Sequence, residues 1–188
     1  MSVKHLVFEK EIGLIIDIDL QDWVQRTFQK VPDHFWVIPS SQTGRYHPAC
    51  SNGRAGLIIH TKRVVWLADK ICCAWGIEGL PRDIVLAACL LHDTAKAPIG
   101  SAPGAYAQHP LNVKKFFAEW NEKEILMTIE LCICHHMGRW TPAEIKKPIE
   151  KYSLIQLAVY TADYLASMKE LVTPCDNDAR EYKEKGKK

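Results

Sequence analysis

Apolar positions along this chain recur mainly with the period of a helix. Between residues 20 and 31 they fall at Leu20, Trp23, Val24, Phe28 and Val31, a spacing of one helical face, with Asp19 available as the N-cap. The isoleucine-rich stretch before it, 11–19, fits either a short strand or a helix start. From Pro32 to Gly56 the pattern breaks into Pro39-Ser40-Ser41-Gln42-Thr43-Gly44-Arg45-Tyr46-His47-Pro48 and Asn52-Gly53, which is turn and loop chemistry. A loop that long inside a compact domain tends to carry function or disorder. Helical periodicity then resumes over 57–75, where His60, Val64, Leu67 and Ile71 share one stripe. The next helix opens at Pro81, where the missing N–H costs little, and runs through Ile84–Leu91 to His92-Asp93. Further helices are expected over 111–120, over 124–136 with Gly138 as a C-cap, and over 152–171. The lysine-rich tail, 181–188, is expected to be solvated and frayed.

Length and composition narrow the class. A chain of 188 residues that is 47% hydrophobic fits one compact domain. A formal net charge of +2 does not announce a protein that coats a polyanion through counterion release, although a small acidic substrate stays compatible. Seven cysteines is an odd number, and Cys72-Cys73, Cys132 and Cys134 lie in helical, apolar stretches, so they read as reduced core residues and not as a disulfide framework. No charged start followed by a long apolar segment opens the sequence, and no apolar run reaches the ~18 residues of a membrane span. A soluble, cytoplasmic protein is the expectation.

Against this apolar background the polar residues stand out. His92-Asp93 sits where a buried helix runs out, and an unpaired carboxylate carried into a core costs several kcal/mol, about 2–7 even for a neutral polar group. A cation or a strong hydrogen-bonding partner is therefore expected there. His60, His109, His135-His136 and Asp163 occupy the buried or terminal parts of other helices. Singly, each has an ordinary structural explanation: a hydrogen-bonded core histidine for His60, a local backbone bond for Asp163, favourable charge at a helix C-terminus for His135-His136. Jointly they offer more nitrogen and oxygen ligands than one divalent ion needs, a mixture that suits Mn, Fe, Co, Ni or Zn. Cys132-Ile133-Cys134 has the wrong spacing for a structural zinc site.

His60, His92-Asp93 and Asp163 together resemble the signature of the HD superfamily of metal-dependent phosphohydrolases. Gly56-Leu57-Ile58-Ile59-His60-Thr61 is similar to that family's first-ligand segment, Leu91-His92-Asp93-Thr94-Ala95-Lys96 to its H-D-x-x-K form, and Cys134-His135-His136-Met137-Gly138 to the histidine-glycine segment of its two-metal members. The likeness covers roughly 44–171. It implies an all-α HD-domain helical bundle whose ligands come from separate helices around a central metal site, as a single domain over 1–188 with an N-terminal extension, 1–43. It also implies that His60, His92, Asp93 and Asp163 hold one metal and that Asp93 bridges to a second held by His109 and His135. His136 is the alternative to its neighbour as the ligand. Mg is an option at the second site.

The resemblance implies hydrolysis of a phosphoester or phosphoanhydride of a nucleotide by metal-activated water, with Asp93 and Lys96 at the chemistry. Lys96, three residues past Asp93, is placed to meet a phosphate oxygen. Arg45, Lys62 and Arg139 are candidate phosphate or leaving-group contacts, since guanidinium forks match phosphate oxygens; Arg139 is preferred, because it follows the His135-His136 segment by a turn. Tyr46 and Trp140 are candidates for stacking on a base, and His47 for the rim. Two alternatives stand beside this reading: a nuclease acting on RNA or DNA ends, for which the basic doublets Lys62-Arg63, Lys114-Lys115 and Lys146-Lys147 form a weak stripe, and a di-iron oxygenase on the same fold.

Overall fold

The computed structural model describes residues 4–178 other than 42, 46, 99, 103 and 104, so Tyr46 and the tail 181–188 lie outside the described residues. Among the described residues seven α-helices follow in order: α1 (Glu9–Ile12), α2 (Ile18–Lys30), α3 (Gly56–Trp75), α4 (Gly79–Leu91), α5 (His109–Asn112), α6 (Lys123–His135) and α7 (Leu154–Ala166), joined by short 3-10 turns. No strand occurs among the described residues, and the fold is all-α.

Helix α4 is the centre. Asp83 to Thr94 is buried at every position, because α3, α6 and α7 pack around it while α1 and α2 cover its remaining side. A helix so enclosed must be apolar all round, which Ile84-Val85-Leu86-Ala87-Ala88-Cys89-Leu90-Leu91 is. Residues 8–38 belong to the same core: Phe8, Ile12, Leu20, Trp23, Val24, Phe28 and Phe35 are each at most 2% exposed and join one cluster with α3 and α4. The 11–19 stretch resolves as α1, a turn, and the start of α2. Asp17, not Asp19, caps α2, accepting from the Leu20 N–H at 2.9 Å, because the buried Asp83 carboxylate fixes the turn through the Ile16 and Asp17 N–H groups at 2.9 and 2.8 Å.

Two expected helices are shorter than their periodicity suggests, and tertiary hydrogen bonds explain both. The helix expected over 111–120 becomes α5 and a 3-10 turn at Val113–Phe116. Beyond it α2 captures the backbone: Trp23 Nε1 donates to the Ala118 carbonyl at 2.9 Å, and the Ala118 N–H donates to Thr27 Oγ1 at 3.0 Å. Helix α7 begins with a capping box between Ser153 and Gln156 and stops at Ala166, five residues early. There the fully buried Arg63 guanidinium collects the carbonyls of Ala166, Met168 and Leu171 and pairs with Asp176, a cation where a helix C-terminus favours one.

The long loop is laced onto the start of α3. Ser40 bonds the Ser51 carbonyl through both N–H and Oγ, and the Leu57 N–H reaches Ile38 O. This brings the backbone so close that a Cβ on Gly56 would stand 1.9 Å from Ser51 O. Gly56→Ala is therefore expected to destabilise the protein by about 1–3 kcal/mol, read as a lower urea midpoint; an unchanged midpoint would show that the loop yields freely.

Cys72, Cys89 and Cys132 are buried and all seven cysteines are free thiols. None of the described helices is long and apolar enough to cross a membrane.

Candidate metal centre

Five helical elements converge on one buried point. His60 comes from α3, His92 and Asp93 from the end of α4, His109 from the start of α5, His136 from the residue after α6, and Asp163 from α7. Two ligand-like groups result: His60, His92 and Asp93, and Asp93, His109 and His136, with the potential ligand atoms of each group within 4.8 Å of one another. Asp93 belongs to both, one oxygen to each. Its Oδ2 lies 3.4 Å from His92 Nε2 and 3.8 Å from His60 Nε2, and its Oδ1 lies 2.8 Å from His109 Nε2 and 3.8 Å from His136 Nε2. Asp163 Oδ1 closes the first group, 3.0 Å from His60 Nε2 and 3.6 Å from His92 Nε2.

Local backbone chemistry aims the rings. His92 Nδ1 donates to Cys89 O at 2.7 Å, His109 Nδ1 to Tyr106 O at 2.7 Å, and His136 Nδ1 to Ile133 O at 2.6 Å. Each carbonyl stands three residues back, so one turn holds each ring and sets its tautomer. A neutral imidazole with Nδ1–H has a lone pair on Nε2, the form that binds metal. With both rings in that form, His109 Nε2 and His136 Nε2 would face each other as acceptors 3.2 Å apart, and Asp93 Oδ1 is buried without a hydrogen bond. A cation between them would satisfy all three, and this set of imidazole nitrogens and carboxylate oxygens fits a divalent transition metal.

The electrostatics agree. Burial alone would raise Asp93, but Lys96, His92 and His109 outweigh it and hold the carboxyl well below its usual range; Asp163 is likewise pulled down against burial by His60 and His136. Burial pushes His136 down to about 3 and lowers His60 against the pull of Asp163. For His92 burial acts downward too, but the Asp93 and Asp163 carboxylates prevail and raise it.

These shifts fix the acid behaviour of the metal-free protein. Where histidines are held neutral in the fold, the unfolded chain binds more protons below the ordinary histidine pKa of ~6.5, so stability falls as pH drops from there toward 3, by about 1.4 kcal/mol per pH unit for each proton. The depressed carboxylates add to the loss below ~4. His92 acts oppositely, with stability present below ~6.5 that fades as pH rises through its raised value. Unfolding midpoints of metal-free protein are expected to drop steeply between pH 6.5 and 4; a flat profile would contradict the buried neutral state.

Of the residues singled out in the sequence, His60, His92, Asp93, His109, His136, Asp163 and Lys96 come together. His135 does not. It is buried on the far side of α6, where its Nδ1 lies 2.8 Å from Leu131 O and 3.1 Å from Gln156 Nε2, its Nε2 3.1 Å from Ile145 O, and its ring packs on Tyr152. Adjacent residues on a helix point about 100° apart, so only one of the pair can face the cluster. Lys62 also points away: its Nζ lies 2.9 Å from both Glu11 oxygens and over the Phe8 ring. Arg139 is exposed and does not line the cleft above the cluster. Arg45 and Trp140 do line it.

That cleft has a volume of about 660 Å³. Lys96 stands at its floor, buried, with Nζ 2.6 Å from Asp93 Oδ2 and 5.1 Å above the Tyr106 ring; Asp93 outweighs burial and raises its pKa. His47 is deeper than a rim position, its ring 4.9 Å from that of His60. Tyr106, Tyr160 and Tyr164 line the cleft as well and were not singled out from the sequence. Their signal was spacing: Tyr106 lies three before His109, and Tyr160 and Tyr164 flank Asp163 on one helix.

The HD domain family model matches residues 57–168, and the chain belongs to that family. HD domains are in general metal-dependent hydrolases, and the histidine–aspartate cluster fits their metal site. Neither a search of curated proteins nor one of solved structures gave a match.

Proposed function

We propose that this chain is a phosphohydrolase that cleaves a phosphoester or phosphoanhydride of a nucleotide at a two-metal centre. The observation that carries the reading is the Asp93 carboxylate, which turns one oxygen to each of two imidazole sets while Lys96 stands beside it. His60, His92, Asp93 and Asp163 would hold one ion, and Asp93, His109 and His136 the other. Mn, Fe, Co, Ni and Zn suit the nitrogen-containing sets, with Mg an option at the second. A divalent metal supplies Lewis acidity, which brings the pKa of water to ~7 and polarises a phosphoryl oxygen. The chain's own groups do the rest. The Lys96 ammonium, fully charged at neutral pH, offers donors to a phosphate oxygen from the floor of the cleft. Arg45 offers a guanidinium at the mouth, where it stays exposed and free to meet an incoming anion. Asp163, partly open to the cleft at 18% side-chain exposure, lies 3.0 Å from His60 Nε2, close enough for the two side chains to share the first ion.

Cleft size favours a nucleotide over a polymer, since small-ligand sites span about 300–1,000 Å³. The basic doublets favour it too. Lys62 and Arg63 are buried and neutralised by Glu11 and Asp176, and Lys114 pairs with Glu130 at 3.1 Å, which leaves Lys115 and Lys146-Lys147 as the remaining cations of the three doublets, too few for a basic stripe along RNA or DNA. Metal-stripped protein is expected to be inactive and to release phosphate from at least one nucleotide after addition of Mn, Co, Ni, Fe or Mg. Turnover confined to oligonucleotides would favour the nuclease, and dioxygen consumption by the iron form without phosphate release would favour the oxygenase.

A further inference from the structure

We infer that the cleft contains a stacking subsite for the base of a nucleotide, formed by Trp140, in the 3-10 turn that follows His136, and Tyr164, on the helix that supplies Asp163. The inference rests on the nucleotide phosphohydrolase reading and assigns a part of the cleft lining beyond the metal residues and Lys96.

Both rings line the cleft and both are open to solvent, Trp140 by 72% and Tyr164 by 59%. Trp23, by contrast, is fully buried. Large aromatic surface left exposed in a concave site is a mark of ligand binding. The two rings are also tied to the metal residues by short, stiff spacers. Trp140 follows His136 by four residues, through a 3-10 turn, Gly138–Trp140. Gly138 adopts φ +55, and the Tyr160 ring occupies the place its Cβ would need, 2.3 Å away, so this turn is pressed onto α7. Tyr164 directly follows Asp163, and the Tyr160 and Tyr164 ring centroids lie 6.1 Å apart at an interplanar angle of 31°. Aromatic surface thus continues along α7 from the metal residues to the lip of the cleft. A phosphate held near Lys96 would leave a planar base within the same cleft, where stacking covers apolar surface on both partners. Stacking tolerates any base, so the subsite selects base-bearing phosphates over sugar phosphates more than one base over another.

The test compares binding of adenosine 5′-monophosphate and ribose 5-phosphate, which share sugar and phosphate, to the metal-loaded protein by calorimetry. Wild type is expected to bind the nucleotide at least about tenfold more tightly, and Trp140→Ala with Tyr164→Ala to bring the ratio close to one. Trp140→Phe with Tyr164→Phe should restore most of it, which a general loss of folding would not allow. Equal binding of the two ligands by wild type, binding of neither, or a ratio unmoved by the alanine variants overturns the subsite. If the ratio behaves as expected but no nucleotide is cleaved with any metal, the subsite stands and the hydrolase reading fails. If nucleotides are cleaved while the ratio is one, the reverse holds.

Discussion

Asp93→Asn is expected to remove metal binding and metal-dependent turnover together. The substitution keeps size and one acceptor but removes the charge that both imidazole sets share, so it weakens two sites at once. Loss of a supporting group beside a ligand costs about 10- to 100-fold in metal affinity, and loss of a ligand common to two ions should exceed that. The fold also suffers. Lys96 is buried with Asp93 Oδ2 at 2.6 Å as its counter-ion, and breaking a buried pair from one side costs about 3–5 kcal/mol; the amide oxygen still accepts from Nζ, so a value near 3 is expected. Elemental analysis and a urea curve on the same preparation measure both effects. A variant that retains its metal would show that Asp93 is not a ligand shared by two ions.

The second large effect separates two neighbours. His136→Ala is expected to cut metal affinity at least about tenfold, while the metal-free fold loses the bond to Ile133 O but is relieved of a buried Nε2 turned to another ring nitrogen, so that stability changes less than metal affinity. His135→Ala should do the opposite. It deletes a ring that packs on Tyr152 and contacts Leu131 O, Ile145 O and Gln156, and leaving buried polar groups unpaired costs about 1–3 kcal/mol. Its metal affinity should stay within about twofold of wild type. Competition against a chromogenic chelator reads the affinity and thermal unfolding the stability; equal metal loss in both variants would mean that the helix end is flexible enough to use either ring.

The helical class and most of the side chains that cluster around Asp93 were legible because both depend on local signals. Helices α3, α4, α6 and α7 follow from apolar periodicity, and His60, His92-Asp93, His109 and Asp163 are polar exceptions within or beside it. What escaped depends on contacts across the fold. The choice between His135 and His136 is a matter of where α6 ends and which side of it meets α4, not of composition. Lys62 looked like a phosphate contact until α1 placed Glu11 against it. The helix ends near 116 and 166 are set by Thr27, Trp23 and Arg63, whose bonds span 91, 95 and 103 residues of sequence. Trp140 was visible as a stacking candidate, whereas Tyr164 gains meaning only once the turn at Gly138 is seen packed on Tyr160.

The metal-to-protein ratio after stripping and reconstitution with Mn or Fe decides whether Asp93 joins two metal sites. Two ions per chain in wild type, falling toward none in Asp93→Asn, are the values predicted from a carboxylate that serves both imidazole sets. Wild type that takes up no divalent metal would contradict it.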